Sequence, residues 1–365
     1  MTPIIKIVGN YCNLRCMYCF YYGKDQSTVT IMSHRILEKF IEEYTKLYEG
    51  NLTFNWHGGE PLLAGLPFFK EIVNLQGIYK RSGQIIRNTV QTNATLINDE
   101  WGKFFKEYNF HIGVSIDGAE KSHSQFRRHN NQEGSFKETV RGIKVLQKYG
   151  IKVGIIQTVT RENIEYAQEN FNFFFNDLDI KSLGINAYLD IMGNNKKMIN
   201  QSVSNEDFAF LLKSYIDLWL IRDDPTIQIR EIDNFIAGIM EKQVTSCNFN
   251  GSCTKFFCIN YDGKIYSSCD RFSGQQKMFI GNLDQQPLLE ILDHFSKSKV
   301  KLRINSLPND CIFCEWRQVC HNGCTYHRIG GIDGKYYYCK TRKEIFSYLR
   351  EKIKNMPKLN QEFLN

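Results

Sequence analysis

Three cysteines near the start of the chain have the spacing of an iron–sulfur cluster loop. Cys12, Cys16 and Cys19 follow a short apolar segment, residues 4–8, with the spacing C-x3-C-x2-C. Three thiolates on one loop can bind three irons of a cubane cluster and leave the fourth iron open to a small molecule. The alternative is a zinc loop, but structural zinc normally takes four ligands, and residues 11–22 contain no histidine. The spacing therefore favours an iron–sulfur cluster with an open iron.

A second group of cysteines lies in the C-terminal third of the chain. Cys247 and Cys253 precede a hairpin-like stretch that runs from Cys258 to Cys269, with Asp262-Gly263 as its turn. The other five form a run with the spacing C-x2-C-x5-C-x3-C and one more distant member: Cys311, Cys314, Cys320, Cys324 and Cys339. Close cysteine pairs are typical of zinc ribbons, so zinc is the alternative here too. The C-x2-C-x5-C-x3-C run is unusual for zinc.

Length and composition describe an ordinary globular protein. Its 365 residues, 42% hydrophobic and 23% charged, favour one large and one smaller domain. The N-terminus lacks a signal peptide and no apolar segment is long enough to span a membrane, so we expect a cytoplasmic protein with no membrane partner. In that compartment the twelve cysteines are expected to be metal ligands or reactive thiols rather than disulfides. The net charge of +7 is modest and no dense basic block is present, so we expect no nucleic-acid partner.

The first half of the chain alternates strand-like and helix-like segments. The segments with strand character are 4–8, 52–56, 84–90, 110–116, 151–159 and 182–188. Ser33 is the predicted N-cap of a helix over 36–47, and a later helix is predicted over 163–175. Six strand–helix units with short connections indicate an α/β fold with a parallel sheet, which can curl into a partial TIM-like (β/α)6 barrel. We expect this barrel over residues 1–230 and a small cysteine-rich domain with a C-terminal helix over 231–365.

Glycines and polar residues follow the ends of four predicted strands. In chain order they are Gly58-Gly59-Glu60, Gln91-Thr92-Asn93, Ser115 with Asp117-Gly118, and Thr158. Because the carboxyl ends of parallel strands meet at one edge, we expect these groups and the cysteine loop to form one site. Glycines let backbone groups approach a ligand closely, and Glu60 beside them could meet an ammonium group. Each motif alone has the alternative of a tight turn.

Together these motifs resemble those of the radical S-adenosylmethionine (SAM) enzymes. The resemblance rests on the C-x3-C-x2-C loop, with an aromatic residue before its third cysteine, and on His-Gly-Gly-Glu-Pro at residues 57–61. It implies that Gly58-Gly59-Glu60 meets the amino group of SAM, that Ser115 and Arg141 contact its carboxylate, and that Tyr18 lies near its adenine. The implied chemistry is one-electron reduction of SAM, which yields methionine and a 5′-deoxyadenosyl radical that takes a hydrogen atom from the substrate.

The C-terminal cysteines resemble the SPASM extension of radical SAM enzymes, which carries two auxiliary iron–sulfur clusters. The resemblance assigns to the first auxiliary cluster Cys247, Cys253, Cys269 and Cys324. It assigns to the second Cys311, Cys314, Cys320 and Cys339. Three [4Fe-4S] clusters and SAM are therefore the expected cofactors, and both auxiliary clusters are closed by four ligands. Cys258 is left over, and we expect it to be a buried free thiol, with cluster ligation as the alternative.

Across nearly the whole chain the pattern is similar to that of the anaerobic sulfatase-maturating enzymes. These enzymes oxidise a cysteine or serine of a sulfatase to formylglycine, and matching stretches include Asp99-Glu100-Trp101 and Cys269-Asp270. The resemblance makes Asp270 the catalytic general base that deprotonates the target side chain, with a solvated surface carboxylate as the alternative. Two features differ from that family. It usually has glutamine in place of His57, and its sixth strand differs from residues 184–188.

The same residues 57–63 also resemble SPASM enzymes that form thioether or carbon–carbon cross-links in ribosomally made peptides (RiPPs). Many of these enzymes carry an N-terminal leader-binding domain. Because eleven residues precede Cys12, we expect either a separate leader-peptide-binding protein or direct recognition of the peptide by the barrel. We also expect a flavodoxin- or ferredoxin-type electron donor.

The leading hypothesis is a radical SAM/SPASM oxidoreductase that modifies a peptide or protein side chain, as in RiPP maturation. A sulfatase maturase is the near alternative. A SPASM enzyme that acts on a sugar or aminoglycoside is another, and it should turn over without any peptide. A zinc-stabilised binding protein without redox chemistry is the alternative from a different class, and it would be colourless and contain zinc.

Overall fold

The computed structural model describes residues 1–21, 30–190 and 199–355. The strands in these residues are β1 (Thr2–Lys6), β2 (Asn51–His57), β3 (Ile85–Thr92), β4 (His111–Ser115), β5 (Val153–Val159), β6 (Ser182–Ala187), β7 (Gln228–Ile229), β8 (Phe256–Asn260), β9 (Lys264–Ser267), β10 (Phe279–Asn282), β11 (Arg328–Ile329) and β12 (Lys335–Tyr336). The α-helices are α1 (His34–Leu47), α2 (Gly65–Tyr79), α3 (Asp99–Glu107), α4 (Glu120–Ser124), α5 (Phe136–Lys148), α6 (Ala167–Asn172), α7 (Asn205–Arg222), α8 (Arg230–Ile239), α9 (Cys247–Asn250), α10 (Leu288–Ser296), α11 (Lys299–Asn305), α12 (Asn309–Ile312), α13 (Arg317–Cys320) and α14 (Cys339–Asn355). Among the described residues, no helix has the length and apolar character needed to cross a membrane.

The chain forms two compact units, and each is assembled from separate stretches of sequence. Unit 1 contains residues 1–116, 123–154 and 254–303, and unit 2 contains residues 117–122, 155–253 and 304 onward. The N-terminal cysteine loop lies in unit 1, and most of the C-terminal cysteines lie in unit 2. The domain boundary that the sequence predicts at residue 230 stays a prediction.

Unit 1 is built on an open sheet with the strand order β10-β9-β8-β1-β2-β3-β4. Strands β1 to β4 are parallel neighbours, and the register places Ile5 opposite Trp56 and Val90 opposite Ile112. In β2, buried residues alternate with more accessible ones, and the buried set includes Phe54 and Trp56. This period of two presents one apolar face to the core. The predicted α/β class with parallel strands is confirmed, and the strands of unit 1 do not close into a barrel.

The predicted hairpin near residue 260 is confirmed and extends this sheet. Strands β8 and β9 are antiparallel, and Gly263 turns between them with φ of +77°, which a side chain would disfavour. β8 runs parallel to β1, with Thr2 opposite Phe256 and Lys6 opposite Asn260. The residues that follow β9 therefore belong to the same unit as the N-terminal cysteine loop.

The predicted helix over 36–47 forms within two residues of its expected start, as α1. Ser33 caps α1, because its side chain accepts a hydrogen bond from the amide of Ile36. The predicted helix over 163–175 is irregular instead: a 3-10 turn precedes α6, and a π turn spans Phe173–Asp177. Phe173, Phe174 and Phe175 are all buried there. A regular helix would turn one of three consecutive side chains away from the core, and the wider π turn accommodates all three.

Unit 2 combines short strands with three packed helices. β6 and β7 are parallel, and α14 packs against α7 and α8. Trp316 stacks on Phe346 of α14 with ring centroids 4.1 Å apart, and Phe346 meets Phe235 of α8 edge-on at 4.8 Å. Tyr338, just before α14, is buried and donates a hydrogen bond to the carbonyl of Val203. These aromatic contacts fix the helix that begins at a predicted cluster ligand.

Candidate active site and cysteine clusters

Two glycines after β2 hold the N-terminal cysteine loop against the sheet. The amides of Gly59 and Glu60 donate to the carbonyls of Gly9 and Tyr11, each over 2.9 Å. A Cβ atom on Gly59 would lie 1.6 Å from the carbonyl oxygen of Tyr11, so no other residue fits at this position. Gly58 has φ of +116°, which side chains rarely adopt. The close approach that the sequence predicts at these glycines is therefore made by the backbone that leads into the first cysteine.

Glu60 ties the end of β2 to the end of β3. Its carboxylate is 1% exposed and accepts hydrogen bonds from Thr92 Oγ1 and the amide of Asn93, both over 2.7 Å. It also accepts from the amide of Leu62 and so caps the short turn that follows. Burial raises the pKa of Glu60 to about 7, and the three hydrogen bonds act in the opposite direction. Glu60 thus orders the polar segment after β3 beside the cysteine loop.

Hydrogen-bond donors point at two of the three cysteine sulfurs of the loop. Cys12 Sγ receives the amide of Leu14 over 3.4 Å and Nδ2 of Asn93 over 3.8 Å. Cys16 Sγ lies 4.0 Å from Nη1 of Arg127. Burial raises the pKa of the Cys12 and Cys19 thiols, so both would bind a proton in the absence of a metal. Donors aimed at buried sulfur fit thiolates that ligate an iron–sulfur cluster.

Arg127 is a site residue that the sequence does not reveal. It is 7% exposed, and its guanidinium carbon lies 5.3 Å from the ring centroid of Tyr18. It therefore contacts both the aromatic residue of the loop and the sulfur of Cys16. It is 111 residues away from Cys16 in the chain, and no motif surrounds it.

The predicted SAM residues Ser115 and Arg141 lie in unit 1 but make separate contacts. Ser115 Oγ accepts a hydrogen bond from Nε2 of Gln91 over 2.9 Å. Arg141, on α5, donates to the carbonyl of Thr95 over 2.6 Å. Thr95 Oγ1 in turn accepts from Nδ2 of Asn13 in the cysteine loop. Arg141 is thus connected to the loop through the segment after β3.

Asp270 lies in a polar cluster of unit 1. It follows β9, is 7% exposed, and accepts a hydrogen bond from the hydroxyl of Tyr21 over 3.2 Å. Nδ1 of His57 lies 3.2 Å from the same oxygen, Oδ2, although the two groups are not aligned as a hydrogen bond. Burial, followed by the nearby Asp270, raises the pKa of Tyr21. Asp270 is therefore a buried carboxylate rather than a solvated one.

Lys6 is a second site residue that sequence reasoning missed. It is 1% exposed, and its Nζ donates to Asn10 Oδ1 over 2.8 Å and to Ser273 Oγ over 3.1 Å. The same ammonium lies 4.1 Å from the ring centroid of Tyr21. A signal was present, because Lys6 is the one charged residue in the apolar segment 4–8. A charge inside a buried strand pattern is unusual enough to mark a candidate.

The four cysteines predicted for the first auxiliary cluster are divided between the units. Cys269 follows β9 in unit 1, whereas Cys247, Cys253 and Cys324 lie in unit 2. Cys258 is fully buried in β8, and burial raises the pKa of its thiol to about 12. This accords with the expected buried thiol. Among the described residues, no three His, Cys, Asp or Glu side chains surround a point where one metal ion could be held.

The four cysteines predicted for the second auxiliary cluster line one pocket of unit 2. The cysteines are Cys311, Cys314, Cys320 and Cys339, and three cations also line the pocket: Arg317, Arg342 and Lys343. Arg342 donates to Cys320 Sγ over 3.4 Å. Burial raises the pKa of the Cys311 and Cys339 thiols, with smaller contributions from neighbouring cysteines. Four sulfurs around a pocket with a cation at its wall fit an anionic cluster with four ligands.

Comparison with known proteins identifies the family to which the chain belongs. The sequence pattern of the Radical SAM superfamily matches residues 6–174. The cysteine-type anaerobic sulfatase-maturating enzyme of Clostridium perfringens is 30% identical, and the match covers 98% of each chain. The serine-type anaerobic sulfatase-maturating enzyme of Bacteroides thetaiotaomicron is 31% identical, over 98% of this chain and 92% of that protein.

Solved structures agree with the sequence relatives. Native anSMEcpe with bound AdoMet superposes with a TM-score of 0.87 at 29% identity, over 97% of this chain and 98% of that one. SuiB of Streptococcus suis, bound to S-adenosylmethionine, has a TM-score of 0.62 at 17% identity, over 92% of this chain and 76% of that one, and so shares the fold. The chain belongs to the radical SAM superfamily and, within it, to the family of the anaerobic sulfatase-maturating enzymes.

Proposed function

We propose that this protein is a radical SAM maturase that oxidises a cysteine or serine of a sulfatase to formylglycine. Family membership supports it, because the relatives that match over nearly the full chain are named as cysteine-type and serine-type sulfatase maturases. A neighbouring structure, of native anSMEcpe, contains both AdoMet and the Cp18Cys peptide. Its TM-score of 0.86 and identity of 29% support a peptide or protein substrate for this chain as well.

Cys12, Cys16 and Cys19 would hold the catalytic [4Fe-4S] cluster. Their fit is supported by the donors aimed at two of the three sulfurs, from Asn93 and Arg127. When bound, the cluster and SAM supply a 5′-deoxyadenosyl radical that removes a hydrogen atom from the substrate. The chain's own task is to orient the target carbon and to exclude water.

The residues proposed to bind SAM are Tyr18, Gly58, Gly59, Glu60, Ser115 and Arg141. The glycines hold the loop at the end of β2, and Glu60 orders the segment after β3, so their contribution includes shaping the site. Ser115 and Arg141 present a hydroxyl and a guanidinium from β4 and α5, both suited to a carboxylate. Tyr18 lies against Arg127 and offers a ring face near the cysteine loop.

The observation that carries the proposal is the burial of Asp270 beside His57 and Tyr21 in the unit of the cysteine loop. Conversion of cysteine to formylglycine removes a hydrogen atom from Cβ, a proton from the thiol and one further electron, which an auxiliary cluster would accept. Water then replaces the sulfur, which leaves as hydrogen sulfide. Asp270 is the proposed base for the thiol proton, and Tyr21 positions Oδ2 through its hydrogen bond. An exposed, mobile carboxylate would be poorly placed for this step.

The proposal includes two auxiliary [4Fe-4S] clusters in the C-terminal cysteines. The second is better supported, because its four predicted ligands line one pocket together with Arg342. The first would use Cys247, Cys253, Cys269 and Cys324. A flavodoxin- or ferredoxin-type protein is the proposed source of electrons.

A second candidate function is oxidative cross-linking of a ribosomally made peptide. The observation that favours it is His57, which contacts Asp270 where the sulfatase maturases usually have glutamine. An imidazole ring and a glutamine amide present different hydrogen-bonding groups and different shapes to the carboxylate. This difference could adapt the base to another target side chain.

Mass spectrometry of a peptide substrate separates these functions. The anaerobically reconstituted enzyme is incubated with SAM, a reductant and a sulfatase-type peptide that contains Cys-x-Pro-x-Arg. We expect an aldehyde at the cysteine together with 5′-deoxyadenosine. A matched peptide with alanine at the target position should release deoxyadenosine without an aldehyde.

Each result has a definite meaning. Deoxyadenosine without any modified sulfatase peptide would reject sulfatase maturation and leave peptide cross-linking as the function to test. Absence of deoxyadenosine from a protein that contains iron would reject the radical SAM assignment of the N-terminal loop.

A further inference from the structure

Helix α14 carries a buried arginine whose side chain faces sulfur. Arg342 is 4% exposed, and its Nη1 lies 3.4 Å from both the carbonyl oxygen and Sγ of Cys320. Its guanidinium carbon lies 3.9 Å from the ring centroid of Phe249 and 4.9 Å from that of Tyr336. The cation is therefore enclosed by two aromatic faces and a predicted cluster ligand.

Thiol groups take the place of the carboxylate that a buried guanidinium normally requires. Removal of this charge from water is strongly unfavourable unless anions or acceptors compensate it. Within the described chain, Arg342 forms no ion pair with a carboxylate, and its electrostatic partners are Cys320, Cys324 and Tyr336. Neutral thiols would compensate it poorly. Ligated thiolates around an iron–sulfur cluster would compensate it well.

A second buried arginine of unit 2 shows the contrast. Arg328 is 5% exposed, and its Nη1 donates to the carbonyls of Ile304 and Ile332 over 2.7 and 2.6 Å. Its Nε donates to the carbonyl of Asn322 over 3.2 Å. Backbone oxygens thus satisfy the N–H donors of Arg328, which connects separate loops. Cysteines are among its electrostatic partners too, but in the part of the chain that the structure describes it donates no hydrogen bond to their sulfurs. Among the described residues, Arg342 donates only to the carbonyl and sulfur of Cys320, and it lies on the wall of the cysteine pocket.

We propose that Arg342 raises the reduction potential of the iron–sulfur cluster held by Cys311, Cys314, Cys320 and Cys339. This inference rests on the auxiliary cluster proposed above for these cysteines. A cluster gains one negative charge when it is reduced, so a fixed cation and an N–H donor at a ligand sulfur stabilise the reduced form. Arg342 does not contact the substrate, and it acts on the reaction through the cluster.

A redox titration of the holoenzyme, followed by electron paramagnetic resonance, tests this role. The signal of this site is identified as the one lost in Cys339→Ser. In R342Q, which removes the charge, we expect an equilibrium constant for reduction that is lower by about tenfold or more, and tenfold is 59 mV for a one-electron couple. R342K retains the charge and should remain near the wild-type potential.

Arg350→Gln is the matched control on the same helix. Arg350 pairs with Glu315 over 3.3 Å, and its side chain is 45% exposed. Removal of this solvated charge should leave the potential unchanged. A purely structural role of Arg342 predicts lower iron content or lower melting temperature in R342Q without a change in the potential of the retained cluster.

The outcomes separate the inference from the cluster assignment. An unchanged potential in R342Q with its cluster present would overturn the role of Arg342 and leave the cluster in place. If the paramagnetic resonance spectrum of Cys339→Ser is the same as that of the wild-type protein, the cluster assignment itself is overturned. If R342Q loses its iron, the reduction potential of R342K tests the effect of the charge instead. A reduction potential of R342K near that of the wild type supports the charge effect. A tenfold or larger decrease in the equilibrium constant for reduction of R342K contradicts it.

Discussion

The two cysteine sites are held in place by different means. At the N-terminal loop, backbone hydrogen bonds from Gly59 and Glu60 fix the segment before Cys12, and the side-chain donors to sulfur come from distant parts of the sequence. At the C-terminal pocket, Cys311 and Cys320 come from short helices and Cys314 from a loop. Helix α14 supplies both its first residue, Cys339, and the arginine beside the sulfurs. The first site supplies three thiols and several polar side chains from strand ends. The second supplies four thiols and a buried arginine.

This difference indicates that the two sites have different functions. A loop with three thiols beside the ends of β2 and β3 has polar groups available for a small molecule. A pocket lined by four thiols and an arginine would close the proposed cluster completely, which suits electron transfer. The comparison leads to four predictions, in order of decreasing effect.

Replacement of Cys12, Cys16 and Cys19 by alanine should abolish SAM cleavage. The open iron would be lost, whereas the C-terminal cysteines would keep their clusters. Chromatography should detect no deoxyadenosine, and iron analysis should show a partial loss. Deoxyadenosine at the wild-type rate would contradict the assignment of the catalytic site to the N-terminal loop.

Asp270→Asn should uncouple product formation from SAM cleavage. Loss of a general base lowers the rate by about 10²–10⁴-fold, while the cysteine loop remains intact. The ratio of modified peptide to deoxyadenosine should fall accordingly. His57→Gln, which keeps Asp270, is the matched control and should retain most of the product. Equal ratios in Asp270→Asn and wild type would remove Asp270 from the mechanism.

Gly59→Ala should displace the N-terminal loop and spare the C-terminal pocket. The new Cβ would lie 1.6 Å from the Tyr11 carbonyl, and overpacking of this kind costs about 1–3 kcal/mol or more. We expect loss of SAM binding and of loop iron, measured by calorimetry and iron analysis.

Gly77→Ala is the control for the preceding substitution. It lies in α2, and an added Cβ would meet no atom within 4 Å. It should stabilise the helix by about 0.5–1 kcal/mol and leave SAM binding unchanged. Similar losses in both variants would mean that the close approach at Gly59 is unimportant.

Arg350→Gln should have the smallest effect. Its guanidinium lies 4.2 Å from the ring centroid of Trp316, and a half-exposed cation–π contact contributes about 0.5–1 kcal/mol. The exposed ion pair with Glu315 adds little. Thermal denaturation should show a small decrease in melting temperature with unchanged iron content. Loss of cluster iron would show that the C-terminal pocket depends on more of α14 than Arg342.

Local sequence patterns predicted much of the fold. The segment 52–56 was predicted to be a strand and forms β2, Ser33 marked the start of α1, and Asp262-Gly263 marked the turn between β8 and β9. These features depend on neighbours in the chain, so spacing is sufficient to find them. The π turn after α6 was not predicted, because it depends on how three phenylalanines pack in the core.

Only the parts of the site that depend on local sequence were predicted. The cysteine spacings and the strand-end motifs are local, and the structure brings Asn93 to Cys12 as the sheet topology requires. The roles of Tyr18, Ser115, Arg141 and Asp270 remain proposals. For Asp117-Gly118 the alternative was a tight turn. The side chain of Asp117 also accepts a hydrogen bond at Oδ1 from the amide of Thr158 over 3.0 Å, within unit 2.

The sequence by itself determined the family, the cysteine spacing and the order of strands and helices, because each is written in contiguous residues. Only the tertiary structure decided which charges meet the sulfurs. Arg127 reaches Cys16 across 111 residues and Arg342 reaches Cys320 across 22. A buried cation is stable only where the folded chain supplies an anion or acceptors, and no local pattern records that partner.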